Sequence, residues 1–142
     1  MNLAESAALA LAARERGWVE AKNADEADLV LLNTCSVRKT AEQRVMGRLA
    51  HYTALKKKHN QPGPSFTLLI AGCMAERLGE DFKAEIPAID YVMGTSARSR
   101  FPLILEAMEQ GQTGNLQAFA TTRIFPLFKW KLVCAYGKNR AI

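Results

Sequence analysis

Two of the three cysteines in this chain stand in the same local setting. Cys35 closely follows the apolar run 29–32, and Cys73 closely follows the apolar run 68–71. Each run predicts a short buried strand, and a helix-like stretch comes after each cysteine. Because open α/β sheets bind ligands outside the carboxyl ends of their strands, the two thiols are predicted to converge on one ligand.

Other interpretations of these cysteines are open from the residues alone. Free cysteine is among the most buried residue types, so each thiol taken singly also fits a core position. A zinc site completed by His51 or His59 lacks the usual ligand spacing. Cys134 lies far along the chain from the other two, and we interpret it as an incidental thiol.

The elements that must position the thiols alternate between strand and helix. The patterns predict helices at 3–16, 38–58, 72–83 and from 99 onward, and strands at 18–20, 29–35, 66–71 and 89–93. Ser99 is predicted to cap the fourth helix, with Pro102 tolerated in its first turn. This alternation predicts an α/β fold with a parallel sheet flanked by helices, in flavodoxin-like order. The chain opens on a helix, so we expect the sheet to lack its first strand.

Composition sets the broad class of protein. The chain has 142 residues, of which 49% are hydrophobic and 23% are charged, as in one ordinary globular domain. No apolar run approaches the ~20 residues that cross a bilayer, and no basic amino-terminal region indicates a signal peptide. Three cysteines argue against a disulfide framework. We therefore expect a cytoplasmic protein without a membrane partner.

The net charge of +5 is unevenly distributed. Residues 1–120 hold 14 basic and 14 acidic side chains, so the excess lies in the last part of the chain. The stretch 111–142 shows no clear period and is interpreted as a linker or an aberrant basic tail after a domain at 1–110. The predicted helix 38–58 carries seven basic residues against the single acid Glu42. It either contacts nucleic-acid phosphates or is a solvated face.

Three motifs, in this order, resemble a known family. They are Met1-Asn2-Leu3-Ala4-Glu5-Ser6, then Asn33-Thr34-Cys35 with Arg38 after it, then Gly72-Cys73. A later stretch, 89–95, is similar to a further strand and turn of the same family. Together these motifs resemble the amino-terminal domain of the radical-SAM methylthiotransferases. The residues Ser36-Val37-Arg38 resemble the tRNA-modifying branch, whereas the branch that acts on a ribosomal protein has a Gly-Phe type continuation.

The resemblance implies a function and a ligand set. The family domain holds an auxiliary 4Fe-4S cluster on three cysteines and leaves one iron open for the sulfur that is transferred. Cys35 and Cys73 match two of those ligands, and are predicted as the cofactor-binding and metal-ligating residues. The hydroxyls of Thr34 and Ser36 are expected to hydrogen-bond around the cluster. The parent enzyme would add a methylthio group to isopentenyladenosine beside the anticodon of tRNA, with no role for DNA.

The chain also departs from the family pattern. The first cluster cysteine would lie two positions before Met1, and the Cys-x-x-x-Cys-x-x-Cys triplet of the radical-generating cluster is absent. S-adenosylmethionine and the second 4Fe-4S cluster are therefore expected only in the full-length family. We interpret the chain as a fragment, truncated or frame-shifted and inactive alone, with no catalytic residue assigned. Sequence leaves a homodimer open.

An alternative function stays open at this point. The chain could be a non-catalytic α/β domain that binds a nucleotide or a partner protein. No glycine-rich phosphate loop supports nucleotide binding.

Overall fold

The computed structural model describes residues 3–34, 39–58, 66–110 and 131–135. Four α-helices and five strands occur in these ranges, together with 3₁₀ helices at Ala24–Glu26 and Thr95–Arg100. The helices are α1 (Leu3–Glu15), α2 (Lys39–Lys58), α3 (Cys73–Glu85) and α4 (Phe101–Glu109). The strands are β1 (Val19–Glu20), β2 (Leu29–Thr34), β3 (Thr67–Gly72), β4 (Tyr91–Met93) and β5 (Lys131–Ala135).

All five strands run parallel in one sheet of order β1-β5-β2-β3-β4. The central strands β2 and β3 are paired along their whole length, and every residue of both is buried. Strands that are covered on both faces are expected to be continuously apolar, as the two runs are. The predicted parallel α/β sheet is confirmed.

Helices cover both faces of this sheet. Alternate residues of β2 point to opposite sides, because side chains alternate along a strand. Leu29 and Leu31 pack with apolar residues of α1 and α4 on one face. Val30 and Leu32 pack with apolar residues of α2 and α3 on the other face. The fold is therefore a three-layer arrangement with two separate apolar cores.

The sheet position next to β2 is filled by β5. If β5 is counted as strand one, the order becomes 2-1-3-4-5, which is the flavodoxin-like order. The first described element is α1, so the place of the strand that we expected to be missing is taken by residues 131–135. The rest of the predicted tail, 111–130 and 136–142, lies outside the described residues.

Two local predictions meet different outcomes. Pro102 stands in the first turn of α4, as expected. The prediction that Ser99 caps this helix is wrong, because a 3₁₀ helix runs through Thr95–Arg100 and α4 starts directly after it. Its cap position is Arg100, whose side chain makes no capping hydrogen bond.

None of the described helices is long and apolar enough to cross a membrane.

Candidate functional site

The two cysteine motifs meet through the pairing of β2 with β3. Thr34, which immediately precedes Cys35, is the register partner of Gly72, which immediately precedes Cys73. Cys73 is the first residue of α3 and is exposed. Cys35 lies outside the described residues. The described backbone thus brings the residues just before the two cysteines side by side at the carboxyl edge of the sheet.

Gly72 is what allows the two strand ends to approach so closely. Its backbone adopts φ 97° and ψ −162°, a conformation that residues other than glycine rarely adopt. A Cβ at this position would lie 2.2 Å from the carbonyl oxygen of Thr34 and 2.7 Å from Oδ1 of Asn33. The Gly-Cys step therefore fixes where α3 begins relative to β2.

Buried hydrogen bonds hold the end of β2. The Asn33 amide donates from Nδ2 to Oγ of Ser6 at 2.7 Å, and both side chains are buried. This bond joins β2 to the first turns of α1, and it connects two motifs that are 27 positions apart. The hydroxyl of Thr34 donates to the carbonyl oxygen of Ala71 at 2.8 Å. That hydroxyl is therefore engaged with β3, contrary to the expectation that it would hydrogen-bond around a ligand.

Glu76 ties α3 to the segment after β4. Its carboxylate accepts hydrogen bonds from the backbone N–H of Ser96 at 3.2 Å, from Oγ of Ser96 at 3.1 Å and from Oγ1 of Thr95 at 3.2 Å. The backbone bond from Ser96, followed by the bond from its hydroxyl, lowers the pKa of Glu76. Sequence analysis missed this contact, because Glu76 and Ser96 are 20 positions apart and no local pattern links them.

Two ion pairs brace the helices that surround this edge. Arg77 of α3 pairs with Glu42 near the start of α2. Arg98 pairs with Glu5 of α1 through Nε and Oε1 at 2.6 Å. The Arg77–Glu42 pair is exposed enough to contribute at most about 1 kcal/mol. In the other pair Arg98 is exposed, whereas the Glu5 side chain is mostly buried.

Four of the basic residues of α2 fall into two groups. Lys56 donates to the carboxylate of Asp90 at 2.5 Å and to the carbonyl oxygen of Ala88 at 2.9 Å, which anchors α2 beside β4. Arg44, Lys57 and Lys58 are exposed. The helix therefore combines an anchoring cation with cations that face solvent.

Cys134 does not lie level with Cys73. Its Cα is paired with Leu31, and Leu31 is three residues before the end of β2. At about 3.3 Å per residue, this places the Cys134 backbone about 10 Å short of the carboxyl edge. The interpretation of Cys134 as incidental fits this register.

Zinc binding gains no support from the histidines. His51 is exposed and packs edge-on against Tyr52, with ring centroids 5.4 Å apart, and His59 lies outside the described residues. In the described part of the chain, no three His, Cys, Asp or Glu side chains group closely enough to hold a metal ion.

The fold and this edge define a parallel α/β domain with a cysteine at the carboxyl end of a central strand. Comparison with known proteins identifies the family of this domain. The model of the uncharacterized protein family UPF0004 matches residues 1–94, and the chain belongs to this family.

Curated relatives carry a functional name. The proteins of Treponema pallidum (strain Nichols) and Treponema denticola are 45% identical over 113 and 109 residues, which is 80% and 77% of this chain. The protein of Porphyromonas gingivalis is 40% identical over 112 residues, 79% of this chain. All three are named tRNA-2-methylthio-N(6)-dimethylallyladenosine synthase. The matched part is only 23–24% of their length, so the chain spans about a quarter of these relatives.

Proposed function

We propose that this chain is the amino-terminal, cluster-binding domain of a tRNA methylthiotransferase. The observation that carries the proposal is the pairing of Thr34 with Gly72, because it brings both cysteine motifs to one edge of the sheet. The names of the relatives support the reaction class. They do not favour the alternative of a nucleotide-binding or partner-binding domain.

In this proposal Cys35 and Cys73 hold an auxiliary 4Fe-4S cluster. Thiolates are the usual ligands of such clusters, and Cys73 stands at a helix amino terminus, where the positive end of the helix dipole favours an anionic ligand. The cluster, when bound, would offer an open iron to the sulfur that is transferred. The two thiols fit two ligand positions, and Cys134 is too far from the edge to be a third.

The surrounding residues hold these thiols in place. Gly72 and the hydroxyl of Thr34 fix the two strand ends against each other, and Asn33 fixes β2 to α1. Glu76 holds the first turns of α3 against the segment after β4. Because these groups are hydrogen-bonded within the domain, their role in this proposal is to position the thiols.

The test is anaerobic reconstitution with iron, sulfide and an excess of a small thiol that can occupy an open ligand position. We expect about four irons per chain and a brown protein with absorbance near roughly 400 nm. Cys35→Ala and Cys73→Ala should each lose the iron. Cys134→Ala is the matched control and should keep it. Equal iron in wild type and in all three variants would refute the assignment.

The partner in this proposal is tRNA, and the exposed cations of α2 are the candidate contact. A protein that neutralises Z phosphates loses affinity with salt in proportion to Z. Replacing Arg44, Lys57 and Lys58 with Gln should weaken binding of an unmodified anticodon stem-loop and reduce the salt slope by roughly 2–3. Lys83→Gln on α3 is the control for the loss of one positive charge outside α2. An unchanged slope in the triple variant would remove α2 from the interface.

No turnover is expected from these 142 residues by themselves. Their cysteines, at positions 35, 73 and 134, do not form the Cys-x-x-x-Cys-x-x-Cys triplet that holds a radical-generating cluster. S-adenosylmethionine and that second cluster therefore belong to the remaining part of the longer relatives in this proposal.

A further inference from the structure

Two ion pairs fix the direction in which α2 crosses the sheet. Near the start of α2, Glu42 pairs with Arg77 in the first turns of α3, the helix that begins at the carboxyl edge. Near its end, Lys56 pairs with Asp90, which directly precedes β4 and so lies at the amino end of that strand. The helix α2 therefore runs from the carboxyl edge of the sheet toward the amino edge.

The exposed cations of α2 lie at both ends of this path. Arg44 is close to the carboxyl edge, whereas Lys57 and Lys58 are the last two residues of the helix. At 1.5 Å per residue, Arg44 is about 8 Å and Lys57 about 27 Å from the start of α2. The two groups of cations are thus about 20 Å apart along one straight helix.

The surface between these cations is open. Gly47, Ala50 and Ala54 are exposed on one face of α2, because residues three, four and seven positions apart are neighbours on a helix. A Cβ at Gly47 would meet no atom within 4 Å. Glu42 is the only acidic residue in the sequence of α2, and it is paired with Arg77. A polyanion can therefore approach this face along its length without meeting an unpaired acid.

An RNA stem fits this face better than a membrane surface does. Helices that lie on membranes insert large apolar side chains into the bilayer. Among the described side chains of α2, Met46 is the only large apolar one that is exposed. The phosphates of a duplex repeat along its axis, so they can contact cations at both ends of α2.

We propose that α2 is the contact surface for an RNA stem, whose loop lies at the carboxyl edge and whose stem extends along α2 toward the amino edge. This inference rests on the proposed function, which places the reacting base at the carboxyl edge, and it adds the direction of the stem. At roughly 3 Å per base pair, a stem of about three base pairs reaches Arg44. Lys57 and Lys58 are reached only by a stem of about eight base pairs or more.

The test compares two RNA hairpins with the same anticodon loop, one with a stem of about four base pairs and one with a stem of about ten. Lys57→Gln/Lys58→Gln is compared with Arg44→Gln. The matched control is Lys22→Gln/Lys83→Gln, which removes two charges from exposed positions outside α2. Dissociation constants are measured for both hairpins at several salt concentrations.

We expect the Lys57/Lys58 variant to bind the long hairpin at least about fivefold more weakly, with a salt slope lower by about 1.5–2. The same variant should bind the short hairpin within about twofold of wild type. Arg44→Gln should weaken the binding of both hairpins, and the control variant should bind both as wild type does.

Equal losses for the two hairpins in the Lys57/Lys58 variant, or no loss for either, would overturn the inference. The proposed function would stand in that case if Cys35→Ala and Cys73→Ala still lost their iron. No binding of either hairpin by wild type would overturn the inference together with the tRNA contact of the proposed function.

A second measurement determines the direction of the stem. In a background whose three native cysteines are replaced by serine, Gln43→Cys or Lys58→Cys carries an iron chelate that cleaves nearby RNA. Both positions are exposed, and they are about 22 Å apart along α2. Cleavage from position 58 is expected about seven base pairs farther from the loop than cleavage from position 43. Cleavage at the same base pairs from both positions, or in the reverse order, would also overturn the inference.

Discussion

Replacing Gly72 with alanine tests whether the close approach of the two strand ends is built into the backbone. The substitution puts a Cβ onto a backbone with φ 97° and ψ −162°. Residues held in such glycine-only conformations cost about 1–3 kcal/mol. The same Cβ would meet the carbonyl oxygen of Thr34 at 2.2 Å, and that oxygen belongs to the backbone of the neighbouring central strand.

The contact adds to the conformational cost because neither group can move freely. Forcing extra atoms into a packed interior typically costs a further 1–3 kcal/mol or so. The two contributions together lower the free energy of unfolding by about 2–6 kcal/mol. Such a loss is a large part of the ~5–15 kcal/mol that stabilises a typical domain.

The assay is urea denaturation followed by circular dichroism, with Gly47→Ala as the matched control. Gly47 lies inside α2, and a Cβ there meets no atom within 4 Å. We expect this control to gain about 0.5–1 kcal/mol, the usual advantage of alanine over glycine in a helix. If Gly72→Ala unfolds within about 0.5 kcal/mol of wild type while Gly47→Ala behaves as expected, the reasoning is wrong.

Three further outcomes are expected. Asn33→Ala leaves the hydroxyl of Ser6 buried without its donor and should cost about 1–3 kcal/mol, and a double-mutant cycle with Ser6→Ala should reveal coupling between them; purely additive effects would contradict this. Because hydrogen bonds lower the pKa of Glu76 below its ordinary 4.5, its ionised form stabilises the fold above that value, and this stability is lost as pH falls through the lower folded pKa. Glu76→Gln should therefore flatten the acid side of the pH–stability profile, and an unaltered profile would argue against the tether. Val133→Pro removes a backbone donor between β1 and β2 and should cost at least about 1–3 kcal/mol in a thermal melt, whereas an unchanged melt would mean that β5 does not contribute to the sheet.

Local patterns predicted most of the elements around the candidate site. The strands β2 and β3 contain the continuous apolar runs 29–32 and 68–71, so burial on both faces could be inferred from composition alone. Tyr52 and Leu49 are buried as the helical spacing of α2 predicts. Burial also raises the pKa of Tyr52. Where local preference and tertiary packing agree, the sequence is sufficient to predict the element and its buried residues.

The remaining features depend on contacts between distant positions. β5 pairs with residues about 100 positions earlier, and nothing in its five residues indicates which gap in the sheet it enters. The bond between Asn33 and Ser6 joins two motifs whose contact the sequence did not predict. Ser99 is a good capping residue by type, yet a 3₁₀ helix extends past it and moves the start of α4 to Phe101.

The position of β5 also has a consequence for biosynthesis. The ribosome makes β1, β2, β3 and β4 well before it reaches residue 131, so the nascent chain carries an unfilled gap beside β2. A strand edge with unpaired N–H and C=O groups is a template for pairing with another chain. A domain whose last strand is synthesised late is prone to aggregation until that strand is available to pair. Changes in residues 131–135 are therefore expected to reduce the yield of soluble protein more strongly than the stability of molecules that have already folded.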